Sequence, residues 1–287
     1  MGDQGIIIRG IGGFYDVQTT PNQIIRCTLR GKLRLDKKRV VVGDRVVISS
    51  TEGVIERLLP RHNELVRPAI ANIDQVVVVM ALAQPTPNLT LLDSILVLAS
   101  NHQLDKIICF NKEDLTDEKQ SIVDIYKTIG YTVLVTSTKE MHSIDTLRDR
   151  LAGKITTFAG PSGVGKSSLL NVIQPGLGLV VGTISEKLKR GKHTTRQVEL
   201  IPLESGGLVA DTPGFSQLGL EKISGSDVQM HFPEIWETAA DCQYRGCMHH
   251  KEPNCAVKKA LRHGTIVPSR YEHYLTLVAE ACKQKHY

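Results

Sequence analysis

Few folds are open to a chain that carries Gly160, Pro161, Ser162, Gly163, Val164, Gly165, Lys166, Ser167 and Ser168 in succession. The run spells G-x-x-x-x-G-K-S and lies between an apolar stretch of strand length, 155–159, and a helix-length stretch, 166–173. Glycines at these spacings let backbone N–H groups turn inward around phosphate oxygens. The helix after the loop points the positive end of its dipole at the same anion. Lys166 is spaced to reach the outer phosphates, and the Ser167 hydroxyl to ligate Mg²⁺. A phosphate loop of this kind works at the end of a parallel strand, so an α/β domain with helices on both sheet faces is expected. The pattern around it agrees. Strand candidates at 74–82, 106–110, 132–136, 198–202 and 208–210 alternate with helix-length stretches at 89–100, 117–129 and 144–151.

The base is read from a second cluster. Asn111, Lys112, Glu113 and Asp114 follow the strand 106–110 and fit Asn-Lys-x-Asp, the guanine-reading motif of regulatory GTPases. A carboxylate at Asp114 accepts from both the N1–H and the 2-amino group of guanine. Adenine offers an acceptor at N1 and no 2-amino group, which leaves the carboxylate unpaired. Asn111 is placed to bridge base and phosphate loop, and the stem of Lys112 to cover the ring. The stretch 136–139, with Ser137, resembles the second base-contacting loop, where a backbone N–H meets guanine O6. Asp211 and Gly214 fit Asp-x-x-Gly, with Asp211 holding Mg²⁺ through water and the Gly214 N–H sensing the γ-phosphate. Thr194 and Thr195 are both candidates for the threonine that closes on the magnesium, and Thr195 joins Ser167 and Asp211 in the magnesium set. The residue after Asp-x-x-Gly is Phe215, which cannot orient water, so His193 is the nearest polar candidate for that task.

At 287 residues, 41% apolar and 23% charged, the chain has the length of two or three globular domains. Residues 1–60 hold short apolar runs at 5–9, 13–17, 24–29, 44–48 and 54–58, separated by turn residues. Five such strands fit an OB-type barrel and an SH3-like barrel about equally. The first 70 residues carry 12 Lys/Arg against 7 Asp/Glu, and Arg26 to Arg45 holds eight basic residues. Such asymmetry suits a polyanion partner. Near the other end, Cys242, Cys247, His249 and Cys255, with His250 adjacent, bring three thiols and an imidazole within fourteen residues. Such a set suits tetrahedral Zn²⁺ and fills its coordination, which favours a structural ion. No run approaches membrane-span length and no secretory leader is visible, so a cytoplasmic location without membrane attachment is expected.

The motif order is unusual: both base-reading stretches precede the phosphate loop and Asp-x-x-Gly. A circular permutation preserves the site in space. It also makes the segment after Asp211 lead directly into the C-terminal region, which could then act as a nucleotide-driven lever. This order, with NKED, TSTK, GPSGVGKSS, GKHTTR, DTPGF and the Cys/His cluster, resembles the circularly permuted, small-ribosomal-subunit-dependent GTPases of the RsgA/YjeQ family over essentially the whole chain. The resemblance implies a multidomain α/β protein: an OB barrel with linker at 1–70 that binds RNA, a permuted GTPase domain at 71–220, and a helical zinc domain at 221–287. It implies GTP hydrolysis stimulated by the 30S subunit in its late maturation, rRNA binding, Mg²⁺ with GTP or GDP, and one structural Zn²⁺. It selects His249 over His250 as the imidazole ligand and His193 as the catalytic histidine. Lys192 and Thr138 stand where the family more often has Arg and Ala, and neither removes a needed group. A switch GTPase serving a non-ribosomal protein is the alternative. Zinc delivery is disfavoured by a closed four-ligand site. A monomer is expected.

Overall fold

The computed structural model describes residues 2–20, 23–31, 33, 39–66, 69–117, 120–177, 198–210 and 223–283. The N-terminal strands are β1 (Asp3–Ile11), β2 (Phe14–Thr20), β3 (Gln23–Leu29), β4 (Arg45–Ser49) and β5 (Val54–Leu58). They close into a barrel in the order β1-β2-β3-β5-β4, with β1 antiparallel to β4 and β3 parallel to β5. That pairing is the OB arrangement and decides against the SH3-like alternative. Period-two alternation sends Ile7, Val17, Cys27, Val46, Ile48 and Ile55 into the barrel core. A short hairpin, β6 (Glu64–Val66) with β7 (Ala69–Ala71), links the barrel to the rest of the chain. Arg61 anchors this linker to the barrel by gripping the buried Asp44 carboxylate at both oxygens, with Nε at 2.6 Å and Nη2 at 2.8 Å.

The second sheet contains β8 (Gln75–Ala81), β9 (Asp105–Asn111), β10 (Thr132–Val135), β11 (Ile155–Ala159), β12 (Leu200–Pro202) and β13 (Leu208–Ala210), in the order β10-β9-β8-β11-β13-β12. All neighbours are parallel except the hairpin β12–β13. Helices α1 (Leu89–Asn101), α2 (Gln120–Thr128), α3 (Ile144–Leu151) and α4 (Lys166–Ile173) cover it. Every residue of β8 is buried, as a central parallel strand requires. Val76, Val78 and Met80 face one core, with α1 and α2, while Val77, Val79 and Ala81 face the other, with α3 and α4.

Three helices complete the described chain: α5 (Pro233–Ala239), α6 (Ala256–Arg262) and α7 (Pro268–Lys283). Their apolar residues and the flanking Phe232, among them Ile235, Val257, Tyr274 and Leu277, join the core on the α1 side of the sheet. A polar cluster is sealed into this junction. Asp93 of α1, 0% exposed, receives Tyr126 Oη at 2.8 Å, His273 Nδ1 at 2.6 Å and a close contact from Arg270 Nη1. Arg270 also forks onto Glu234, Nε–Oε1 2.7 Å and Nη2–Oε2 3.2 Å, and lies 4.4 Å from the centre of the Phe232 ring. Burial works against its charge, but the Asp93 and Glu234 carboxylates outweigh that and raise the guanidinium pKa.

Candidate functional site

The loop 160–165 leaves the C-terminal end of β11, the strand between β8 and β13, and turns into α4. Ligands of open α/β sheets bind beyond such strand ends. Two glycines make the turn possible. Gly160 has φ +135°, and a Cβ there would lie 2.1 Å from the Val79 carbonyl oxygen of β8. Gly165, at φ +98°, leaves room for Asn111, whose Nδ2 would lie 2.3 Å from an added Cβ. Lys166 Nζ donates to the carbonyls of Gly160 at 2.8 Å and Pro161 at 2.6 Å, so the ammonium lies inside the loop. Burial lowers its pKa to about 8. The Ser167 hydroxyl is on a buried residue in the first turn of α4.

The base-reading stretches converge on this loop from β9 and β10. Asn111 ends β9, is 1% exposed, donates Nδ2 to Val164 O at 2.9 Å and accepts Thr136 Oγ1 at 3.1 Å. One amide therefore ties the two base loops to the phosphate loop. Lys112 adopts the left-handed region, φ 62°, a conformation that L side chains tolerate only where the surroundings fix it. Its ammonium reaches the Gln84 carbonyl, from the loop after β8. Asp114 lies in the single turn Glu113–Leu115, where its Oδ1 accepts the Ser137 hydroxyl at 2.8 Å. Ser137 Oγ in turn receives the Glu140 N–H at 3.1 Å, and Glu113 contacts His142. Anchored on one oxygen, the Asp114 carboxylate keeps its other oxygen for an N–H donor. Sequence reasoning named Asn111, Lys112, Glu113, Asp114, Ser137 and residues 160–168, and all of them come together here. Thr136 belongs to the 136–139 stretch it named, although its hydroxyl's bond to Asn111 is visible only in the structure, and it missed the Gln84 carbonyl, which no local motif marks. His193, Thr194, Thr195, Asp211, Gly214 and Phe215 lie outside the described residues.

A second site is built from Cys242, Cys247, His249 and Cys255, whose ligand atoms all lie within 4.8 Å of one another. His249 Nδ1 is 3.5 Å from Cys242 Sγ and 3.4 Å from Cys255 Sγ, and the two sulfurs are 3.9 Å apart. A tetrahedron with Zn–S of about 2.3 Å has edges of roughly 3.8 Å, so the four groups fit one zinc ion. His250 is exposed and outside the set. The far nitrogen of His249, Nε2, meets Gln229 Oε1 at 2.8 Å, and Gln229 is itself held by Ser226 O at 3.0 Å. Nε2–H is thereby the donor and Nδ1 is left free for metal, a support that spacing could not reveal.

Comparison with known proteins points the same way. The RsgA GTPase family matches residues 58–221, and the RsgA N-terminal domain matches residues 4–55. The small ribosomal subunit biogenesis GTPase RsgA of Moorella thermoacetica is 48% identical over 281 residues, 96% of this chain and 97% of its own. That of Bacillus subtilis is 44% identical, covering 98% of each. Among solved structures, YjeQ from Thermotoga maritima superposes with a TM-score of 0.86 at 36% identity, over 98% of this chain and 99% of that one. YloQ, a circularly permuted GTPase, gives 0.83 at 39% identity, over 100% and 97%. With the permuted motif order, the barrel and the Cys₃His cluster in place, the chain belongs to the RsgA family of circularly permuted GTPases.

Proposed function

We propose that the chain hydrolyses GTP under stimulation by the small (30S) ribosomal subunit and acts in the late maturation of that subunit, contacting its rRNA. The observation that carries the chemistry is the Asn111 amide, which joins the base-reading and phosphate loops into one pocket. Relatives nearly half identical over the whole chain carry the ribosomal name. On this reading Asp114 reads the guanine edge, Ser137 holds Asp114, and residues 160–168 cradle the phosphates with Lys166 at their outer oxygens. Ser167, with Thr195 and Asp211, holds Mg²⁺, which neutralises charge developing on the phosphates. His193 orients the attacking water on the ribosome, because Phe215 has no group for that work. Zinc on Cys242, Cys247, His249 and Cys255 holds the C-terminal helices together.

The units 1–70, 71–220 and 221–287 are assigned to barrel, GTPase and zinc domain. A cytoplasmic monomer suits ribosome-directed work, and sedimentation tests the oligomeric state. The deciding experiment measures GTP turnover alone, with 30S, and with 50S as control, for the parent chain and His193→Ala. Stimulation by 30S alone, lost in the variant, is expected. Stimulation that survives the substitution removes His193 from the mechanism. No stimulation leaves a guanine-nucleotide switch with a different partner.

A further inference from the structure

The two base-reading stretches are joined by more than the Asn111 amide. The loop after β10 is closed at its root by an antiparallel pairing of Ser137 with His142. In that pairing the His142 N–H donates to Ser137 O at 3.0 Å, and the Ser137 N–H to His142 O at 3.4 Å. The His142 imidazole crosses to the turn 113–115, where its Nδ1–H donates to the Glu113 carboxylate. Glu113 precedes Asp114 in the chain, and the Ser137 hydroxyl holds Asp114 Oδ1 at 2.8 Å. Asp114, Glu113, His142 and Ser137 thus close a ring made of one peptide bond, one side-chain contact, one backbone pairing and one hydroxyl bond. A carboxylate held by Ser137 alone would swing about a single hydrogen bond. Within the ring it keeps its direction.

The backbone around His142 shows that this arrangement is imposed. Met141 and Ser143, on either side of it, both lie in the left-handed region, at φ 58° and 55°. Residues with a side chain persist there only where the surroundings fix them. On one side the fixing comes from α3, whose Ile144, Leu147 and Leu151 are buried in the core with Val77 and Val79 of β8. On the other it comes from Ser137 and Glu113. The His142 side chain is 53% exposed and that of Glu113 16%, so the pair by itself adds little to stability. Its effect falls on orientation instead.

We infer that Glu113 and His142 are positioning residues for the base: they lock the turn of Asp114 against the loop of Ser137, so that the carboxylate meets both N–H donors of guanine at once. The inference rests on the reading of Asp114 as the guanine-reading group and deepens it, giving the variable position of Asn-Lys-x-Asp a task. Guanine and hypoxanthine share N1–H and O6 and differ only in the 2-amino group. A swinging carboxylate follows the single donor of hypoxanthine but cannot satisfy the two of guanine together, so loss of the ring costs GDP more than IDP.

The test is calorimetric titration of the zinc-loaded full chain with GDP and with IDP, both in the presence of Mg²⁺. The parent should prefer GDP by about tenfold or more. His142→Ala and Glu113→Ala should each cut that preference about fivefold, and the double variant no further than either single one. His142→Asn, whose amide nitrogen takes the place of Nδ1, should keep the preference within about twofold of the parent. Equal weakening of GDP and IDP in the alanine variants, with the preference intact, would reduce the pair to a structural contact and overturn the inference. So would additive losses in the double variant, which would show the two side chains acting apart. A parent chain that binds GDP and IDP equally would overturn the reading of Asp114 and the inference with it. Failure of the reading therefore shows in the parent, and failure of the inference alone only in the variants.

Discussion

At the scale of single residues, the site is organised by groups that hold other groups. Ser137 occupies one oxygen of Asp114, so the carboxylate faces the base with its orientation fixed. Asp114→Asn should therefore invert base choice cleanly. An amide meets guanine with one wrong donor and loses about 3 kcal/mol, roughly a hundredfold in affinity. Xanthine, with a carbonyl at C2, gains what guanine loses; competition between GDP and XDP measures the change. Lys166 gives a second prediction. Its pKa of about 8 belongs to the loop without phosphate, and burial is the cause. Phosphate stabilises the ammonium, so the bound pKa is higher and binding takes up a proton above pH 8. Affinity is then fully present below pH 8 and falls as pH rises through it, to about tenfold weaker at pH 9 than at pH 7. Calorimetric titration with GDP in two buffers of different ionisation enthalpy checks the proton uptake, and a pH-independent affinity would contradict it. These residues were legible because their chemistry is local: a phosphate loop or Asn-Lys-x-Asp needs its groups a few residues apart. Gln229 behind His249 was not, since 20 residues separate the pair and no spacing rule connects them.

Among the elements, legibility followed periodicity. The five barrel strands and the strands of the main sheet alternate or run apolar for five residues or more in most cases, and the structure places their ends within two residues of expectation except in β2, which runs three residues further, to Thr20. The hairpin β6–β7 has three-residue strands, too short to show a period. Helix α5 has a single buried residue, Ile235, so it shows no amphipathic stripe either. Its position is set by a contact between distant elements, the Glu234–Arg270 fork, and Arg270 is in turn bound to Asp93, 177 residues away in sequence. Removing one member of such a buried pair strands the other without solvent. Arg270→Met should cost about 3–5 kcal/mol in denaturant unfolding of the zinc-loaded chain. Adding Asp93→Asn should recover part of that loss, because the orphaned charge is gone while the amide still meets Tyr126 and His273. A single-variant loss below about 1 kcal/mol would show that the pair behaves like an exposed one.

For the whole molecule, connectivity and packing point to different moving parts. Connectivity makes the zinc module the natural lever, since the segment after Asp211 leads straight into it. Packing does not treat it as one. Its helices share a continuous core with α1 and α2, and the Asp93–Arg270–Glu234 cluster seals the junction. The barrel also reaches this core, through Ile8 and Val42, but it has a second seam. There it meets the hairpin β12–β13 across an open groove, with Gln4, Gly5, Ile6 and Arg45 on one side and Gly206 and Leu208 on the other. That hairpin lies between the two stretches, 191–195 and 211–214, that the sequence assigns to γ-phosphate sensing. The hairpin borders β1 across that groove, whereas α7 is fixed to α1 by the Asp93–Arg270–Glu234 seal. Exchanging GDP for a non-hydrolysable GTP analogue should thus alter amide hydrogen exchange along β12, β13 and β1, and leave α7 unchanged within error. Arg270→Met should release α7 and make its exchange nucleotide-dependent as well, since the seal that isolates it is gone. If the parent chain instead shows changes in α7 as large as those in β1, the zinc module moves with the nucleotide despite its shared core, and the barrel loses its place as the part that carries the signal.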